Sequence, residues 1–241
     1  MRMRRFGFRG RLALIWCFAC LTAVAPSAQQ LDSATIIQRV NEAVEARFEN
    51  VLGFTDIEHY AVFRGSDQTH PAAEMTAKCL YEKGVGKKYT ILSQSGSTII
   101  QKFGLRPLLE NEMRINNPAT VRDSWFISAN YEMKLKPGGI QKVDGRDCIG
   151  LSISPRHKAP NMIQGTLWVD AKEYWIVKVE GIASKSPSIW AGTTKMMRQY
   201  MLVDGYSQAM HARAESNSFF FGRTVVVIDY SDYKLQLRPA K

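Results

Sequence analysis

The chain has 241 residues, 45% of them hydrophobic, which suits one sizeable core or one large curved sheet and not a string of domains. Its formal charge of +10 overstates the basic character of the folded part, because five arginines sit in the first eleven residues; the remainder has 27 Lys and Arg against 22 Asp and Glu, a net of +5. Those charges are spread along the chain with no Arg-rich block, which argues against a nucleic-acid partner and leaves room only for transient contact with an anionic membrane surface.

Met1 to Arg11 carries arginines and no acid, Leu12 to Ala25 is almost wholly apolar, and small residues follow. This order reads as a secretory signal peptide over residues 1–28, with an exported mature domain over 29–241. The apolar run is short for a membrane span, which needs about 20 residues. Lipid attachment at Cys17 or Cys20 fits less well, because bulky Trp16 precedes the first and apolar residues continue past the second. Export leaves Cys79 and Cys148 as an even pair in an oxidising compartment, so a disulfide between them is expected. Closing a loop of that length contributes on the order of 4 kcal/mol in the chain-entropy picture. The competing reading, one of the two as a catalytic thiol, requires a free cysteine beside a histidine.

Asp32-Ser33 followed by Ile36, Ile37, Val40, Ala43, Val44 and Phe48 gives an N-cap and an apolar stripe at helical spacing, ending near Asn50. After Gly53 the period drops to two. Phe54 to Arg64, Ala73 to Glu82 and Lys87 to Ser95 read as strands, the last two joined across Lys83-Gly84-Val85-Gly86. A second helix is expected to start near Pro107 and stop at Asn116-Asn117-Pro118. Trp125, Ile127, Ala129, Tyr131, Met133 and Leu135 then alternate with more polar residues, the spacing of a long strand closed by Pro137-Gly138-Gly139. Asp147 to Ser154 follows. Thr166 to Val169 and Trp175 to Val179 flank a short polar turn as a hairpin, with Trp175, Val177 and Val179 expected on its apolar face. Strands near Thr194 to Val203, Met210 to Phe219 and Thr224 to Tyr233 complete the chain, the first two joined by Asp204-Gly205. Two helices and nine or ten strands linked by short turns predict an α+β, mainly β fold: an incomplete antiparallel β-barrel with helices over its concave face.

Catalytic motifs are missing. There is no nucleophile elbow, phosphate loop, dinucleotide fingerprint or His-Glu-x-x-His, and Cys79 and Cys148 lack metal-ligand spacing. His59, His70, His157 and His211 stand apart in the sequence, without a second ligand nearby. The sheet faces are instead rich in methionine, Met75, Met133, Met162, Met196, Met201 and Met210, whose flexible thioethers conform to ligands of no fixed shape. Ala129, Ala212 and Ala214 fall where a filled core would carry larger side chains.

Asp144-Gly-Arg-Asp-Cys148 with Ile149 to Pro155, Gly165-Thr-Leu-Trp-Val-Asp170, Val179-Glu-Gly181, Lys185-Ser-Pro-Ser-Ile-Trp190 and Phe221-Gly-Arg to Asp229-Tyr-Ser-Asp-Tyr233 together resemble the LolA-like outer-membrane lipoprotein-sorting proteins. The chain departs from that pattern after Asp204-Gly205, where it lacks a Trp-x-Pro. The resemblance implies a half-barrel that shields lipoprotein acyl chains, with no enzymatic activity and no cofactor. Trp125, Tyr131, Met133, Leu135, Trp168 and Trp175 are then the candidate residues of the cavity or its rim, with Trp168 sharing a strand face with Thr166 and Asp170. The alternative is an envelope sensor or assembly factor that binds a protein partner through the same sheet.

Overall fold

The computed structural model describes residues 32–159, 161–185, 191–218 and 222–239; the expected leader lies outside them, as does the aromatic end of the loop at 186–190. Helix α1 (Ser33–Asn50) begins where the capping signal places it: the Asp32 carboxylate accepts from the Ala34 and Thr35 amides, and Ile36, Val40 and Val44 form its buried stripe. Ten strands follow in chain order: β1 (Val51–Arg64), β2 (Ala73–Glu82), β3 (Gly86–Gly96), β4 (Tyr131–Val143), β5 (Arg146–Pro155), β6 (Ile163–Asp170), β7 (Ile176–Ala183), β8 (Ala191–Val203), β9 (Tyr206–Ser218) and β10 (Gly222–Leu237). They form one antiparallel sheet in the order β3-β2-β1-β10-β9-β8-β7-β6-β5-β4. β3 and β4 are its two edges, so the expected incomplete barrel is what forms. Asp144-Gly145 and Asp204-Gly205 make their tight hairpins with both residues at positive φ.

One face of the sheet carries two separate cores. Under α1, Ile149, Leu151, Ile153, Leu167 and Val179 pack from the β4–β7 half. At the other end, Tyr60, Val62 and Met75 pack against Leu105 and Leu109 from a helical segment between β3 and β4. That segment starts earlier than the proline suggests. Ser97 caps α2 (Thr98–Ile100), a π-turn (Gln101–Leu105) follows, and α3 (Arg106–Ile115) carries Pro107 in its first turn. A proline has no N–H to give, and the widened turn before it lets the helix run through.

Three further expectations are corrected. The run from Trp125 to Asn130 is not strand: β5 ends at Pro155 opposite Tyr131, so these residues have no ladder partner. Side chains satisfy the backbone there instead, Asn130 donating to the Arg122 and Trp125 carbonyls and Asn41 accepting from the Ser128 amide. Pro137-Gly138-Gly139 does not end β4 either. The ladder breaks after Leu135 and resumes at Ile140, which an edge strand tolerates. In the hairpin β6–β7, a bulge sets Trp168 opposite Lys178 but Val169 opposite Ile176, so Val177 is the extra residue. Ile176 and Val179 therefore join the core under α1, while Trp175 and Val177 pack with Trp168 in another cluster.

The expected disulfide is absent. Cys79 and Cys148 are both free and buried. β2 is second in the strand order and β5 ninth, and the two thiols belong to different clusters, with Phe54 and Tyr81 around Cys79 and Trp168 and Trp175 around Cys148. Sequence parity says nothing of such a separation. Burial pushes the Cys148 thiol up to about 11, and that of Cys79 further, which makes both poor nucleophiles.

Gly165 and Gly181 face one another across β6–β7, and a Cβ on Gly165 would press into the Glu180 carbonyl. Gly165→Ala is expected to lower stability by about 2 kcal/mol or more in urea unfolding, as overpacking against backbone does; an unchanged midpoint would refute the close approach. Thiol titration of the denatured, unreduced protein should find both Cys79 and Cys148 reactive.

Candidate functional site

Between the two cores, the concave face is left uncovered and holds a cavity of about 520 Å³, within the ordinary range for ligand sites. Helix α1 contributes Val44, Arg47 and Phe48 to its walls, and α3 contributes Leu108, Glu112 and Ile115. Ala212 and Ala214 stand on the floor opposite Ile228 and Val226. Their small side chains help keep the space open, as their placement in the sequence suggested; Ala129, in the turn before β4, is exposed and has no part in it.

A polar cluster borders the cavity at its β1–β3 end. Phe54, Asp56, Glu58, Tyr60 and Val62 alternate along β1 with residues of the other face, so strand geometry alone turns two acids inward. Glu58 is wholly buried and accepts from the Tyr60 hydroxyl, from the Tyr89 hydroxyl at 3.2 Å and from Lys87 Nζ at 3.3 Å. Lys87 also reaches Glu112 at 3.4 Å, and Glu112 accepts from Asn116. Burial alone would lower the Lys87 ammonium, but Glu58, Tyr89 and Glu112 together hold it well above its ordinary range. Burial likewise acts to raise Glu112, and the Lys87 charge overcomes it. This ion cluster is charged and saturated.

Asp56 is different. It is 2% exposed and makes no hydrogen bond at ordinary distance, although the Cys79 thiol and the Tyr233 hydroxyl lie close enough to offset part of the cost of its charge. Burial, reinforced by the Glu58 charge, lifts its carboxyl to about 7. Asp56, Glu58 and Cys79 bring one potential ligand atom each within 4.8 Å of one another, a grouping that spacing in the sequence does not reveal. It does not fit a metal ion: Glu58 is committed to three donors, the Lys87 ammonium opposes a second cation, and burial keeps the Cys79 thiol protonated.

Two arginines of the lining stand apart from this cluster. Arg47 donates to the Ser207 carbonyl at 2.6 Å and to Gln208 Oε1 at 2.9 Å, its guanidinium lying 4.7 Å from the Phe48 ring. Arg198, on β8, lines the cavity against the phenols of Tyr200 and Tyr230.

The six residues singled out from the sequence separate into three groups. Trp125 lines the cavity, stacked on Phe48 with ring centroids 3.8 Å apart and Arg122 over its other side. Trp175 also borders it while packing against Cys148 and Trp168. Tyr131, Met133 and Leu135 lie in or against the core beneath α1, away from the cavity wall. Trp168 is on the opposite sheet face from Ile149 and Leu167, over Gly150, with its Nε1 donating to Glu180 and Lys136 above its ring. A Cβ on Gly150 would meet that ring at 2.8 Å. Arg47, Arg198, Lys87 and Glu58 were not foreseen. The available signal was Asp56 and Glu58 at the inward positions of a strand whose other inward residues are Phe54, Tyr60 and Val62. The histidines are also less solitary than their sequence positions suggest: His59 pairs with Glu74, His70 with Asp67 and His211 with Asp229, all at the surface.

No family model matches the sequence, and no curated protein does. Among solved structures, the chain is similar to a LolA superfamily protein from Nitrosomonas europaea, at 14% identity and TM-score 0.46, covering 86% of this chain and 94% of that one. It is similar to an outer membrane lipoprotein-sorting protein domain from Vibrio parahaemolyticus, at 16% identity and TM-score 0.49, covering 85% and 94%. A DUF1329 family protein from Desulfovibrio piger matches at 14% identity and TM-score 0.45, covering 85% and 93%. Likenesses at this level concern the path of the chain and not its ligand.

Because Asp56 holds its proton more tightly folded than unfolded, its contribution to stability is fully present below about pH 4 and is lost as pH rises toward about 7. The loss over that window is at most roughly 4 kcal/mol. Asp56→Asn should therefore raise stability at pH 8 by about 1 kcal/mol or more and flatten the dependence between pH 4 and 7 in denaturant unfolding. An unchanged pH profile would show that Asp56 is not buried in this way.

Proposed function

We propose that the protein is a non-enzymatic carrier that shelters acyl chains of lipids or lipoproteins in the cavity between its sheet and helices. The observation that carries this reading is the cavity itself: an opening of about 520 Å³ whose walls include the apolar side chains of Val44, Phe48, Leu108, Ile115, Val226 and Ile228. Each methylene buried there contributes about 0.8 kcal/mol, so a modest length of chain supplies useful affinity. The arginine-led apolar N-terminus and the sequence resemblance support work in the periplasm, on outer-membrane lipoprotein sorting. In this reading Trp125 and Trp175 are the tryptophans that meet the cargo. Tyr131, Met133 and Leu135 hold the wall in place, and Trp168 braces its other face.

The test fills the space. Ala212→Phe should reduce affinity for a fluorescent fatty-acyl probe about tenfold or more while leaving the thermal midpoint nearly unchanged, since the ring enters an existing void. Wild-type protein that carries no lipid from cells and binds no acyl probe would sink the carrier reading.

A further inference from the structure

Two guanidinium groups border the same cavity with no carboxylate to answer them. Arg47 is bonded only to neutral acceptors, the Ser207 carbonyl and the Gln208 side chain. Arg198 lies among the tyrosines Tyr200 and Tyr230. Among the described residues neither forms an ion pair, whereas the other cations of the lining do: Lys87 lies between Glu58 and Glu112, and Arg213 pairs with Glu215. The acids nearest the cavity are already engaged or distant from this role. Glu58 and Glu112 are taken by Lys87, and Asp56 shares their end of the sheet. Glu112 acts on Arg198 without reaching ion-pair distance, and Glu173 belongs to the exposed β6–β7 turn. Both line one cavity, Arg47 held against Ser207 and Gln208 of β9 and Arg198 carried on β8, the strand paired with β9. A half-buried cation in an apolar enclosure is stabilised by an anion, and two of them lining one cavity favour an anionic occupant over a neutral one.

We propose that the cavity takes an amphiphile with an anionic head, a carboxylate or a phosphate monoester, seated on Arg47 and Arg198 while its hydrocarbon tail runs along Val44, Leu108, Val226 and Ile228. This rests on the carrier reading and narrows it, from acyl chains in general to single-chain amphiphiles whose charge enters the cavity with the chain. An arginine pair with no anion would otherwise be a standing cost in a site built to hold hydrocarbon.

The test compares ligands of one tail and three heads, myristate, tetradecyl phosphate and tetradecanol, by fluorescence titration of the delipidated wild-type protein at neutral pH. Both anions should bind about tenfold or more tighter than the alcohol. Arg47→Gln and Arg198→Gln should each bring the ratio of anion to alcohol affinity most of the way to one, and Arg198→Lys, which keeps the charge, should retain part of it. Equal affinity of the wild type for all three ligands overturns the head-group site and leaves the carrier reading standing. Binding of none overturns both. If inorganic phosphate alone binds as tightly as tetradecyl phosphate, the arginines form a small-anion site and the proposal falls.

Discussion

A ten-stranded sheet that curls without closing has one long concave face, and the chain supplies two helical segments to cover it. Each settles at its own end: α1 over β4–β7, and α2–α3 over β1 and β2. Both are anchored by close-packed side chains whose displacement would open voids. Their cover thins toward the middle of the sheet, where α1 touches β9 through Arg47 and where β8, β9 and β10 turn Met196, Ala212, Ala214 and Ile228 toward the cavity. The cavity is thus the part of the apolar surface left over when each helix has buried its stripe.

That remainder is bordered by charge, and the charges are not equivalent. Lys87 with Glu58 and Glu112 forms a closed set in which each group has its partners, joining β1 and β3 to α3. Breaking one member would strand the others in a poorly solvated place, so the set serves to fix how α3 sits on the sheet. Asp56, beside it, makes no hydrogen bond at ordinary distance, and among the described residues Arg47 and Arg198 have no acid at ion-pair distance. One end of the cavity is therefore internally neutralised, while the arginine side keeps an unanswered positive potential.

The elements that the sequence announced most clearly were those set by local chemistry. Asp32 capped its helix, the aspartate-glycine pairs turned their hairpins, and β1, β2 and β5 followed their alternation. The readings that failed depended on a neighbour not visible in the local pattern. The Trp125 run alternates as well as a strand does, but its would-be partner ends at Pro155. Trp175 and Val177 alternate with Ile176 on paper, yet a bulge against Trp168 reverses which of them meets the core. Pro137 breaks a central strand but not an edge.

What the sequence determined by itself is the kind of molecule: a long antiparallel sheet with amphipathic helices, apolar on one face, and without catalytic motifs. Period, caps and turns are properties of a few consecutive residues, and the chain states them directly. Only the tertiary structure decided where the apolar faces are filled and where they are hollow. It parted Cys79 from Cys148, sent Tyr131, Met133 and Leu135 into a solid core, and brought Arg47 and Arg198 to one cavity from positions far apart in the chain. Those outcomes depend on strand order and on how far each helix extends over the sheet, which are relations between distant segments, and no local spacing encodes them.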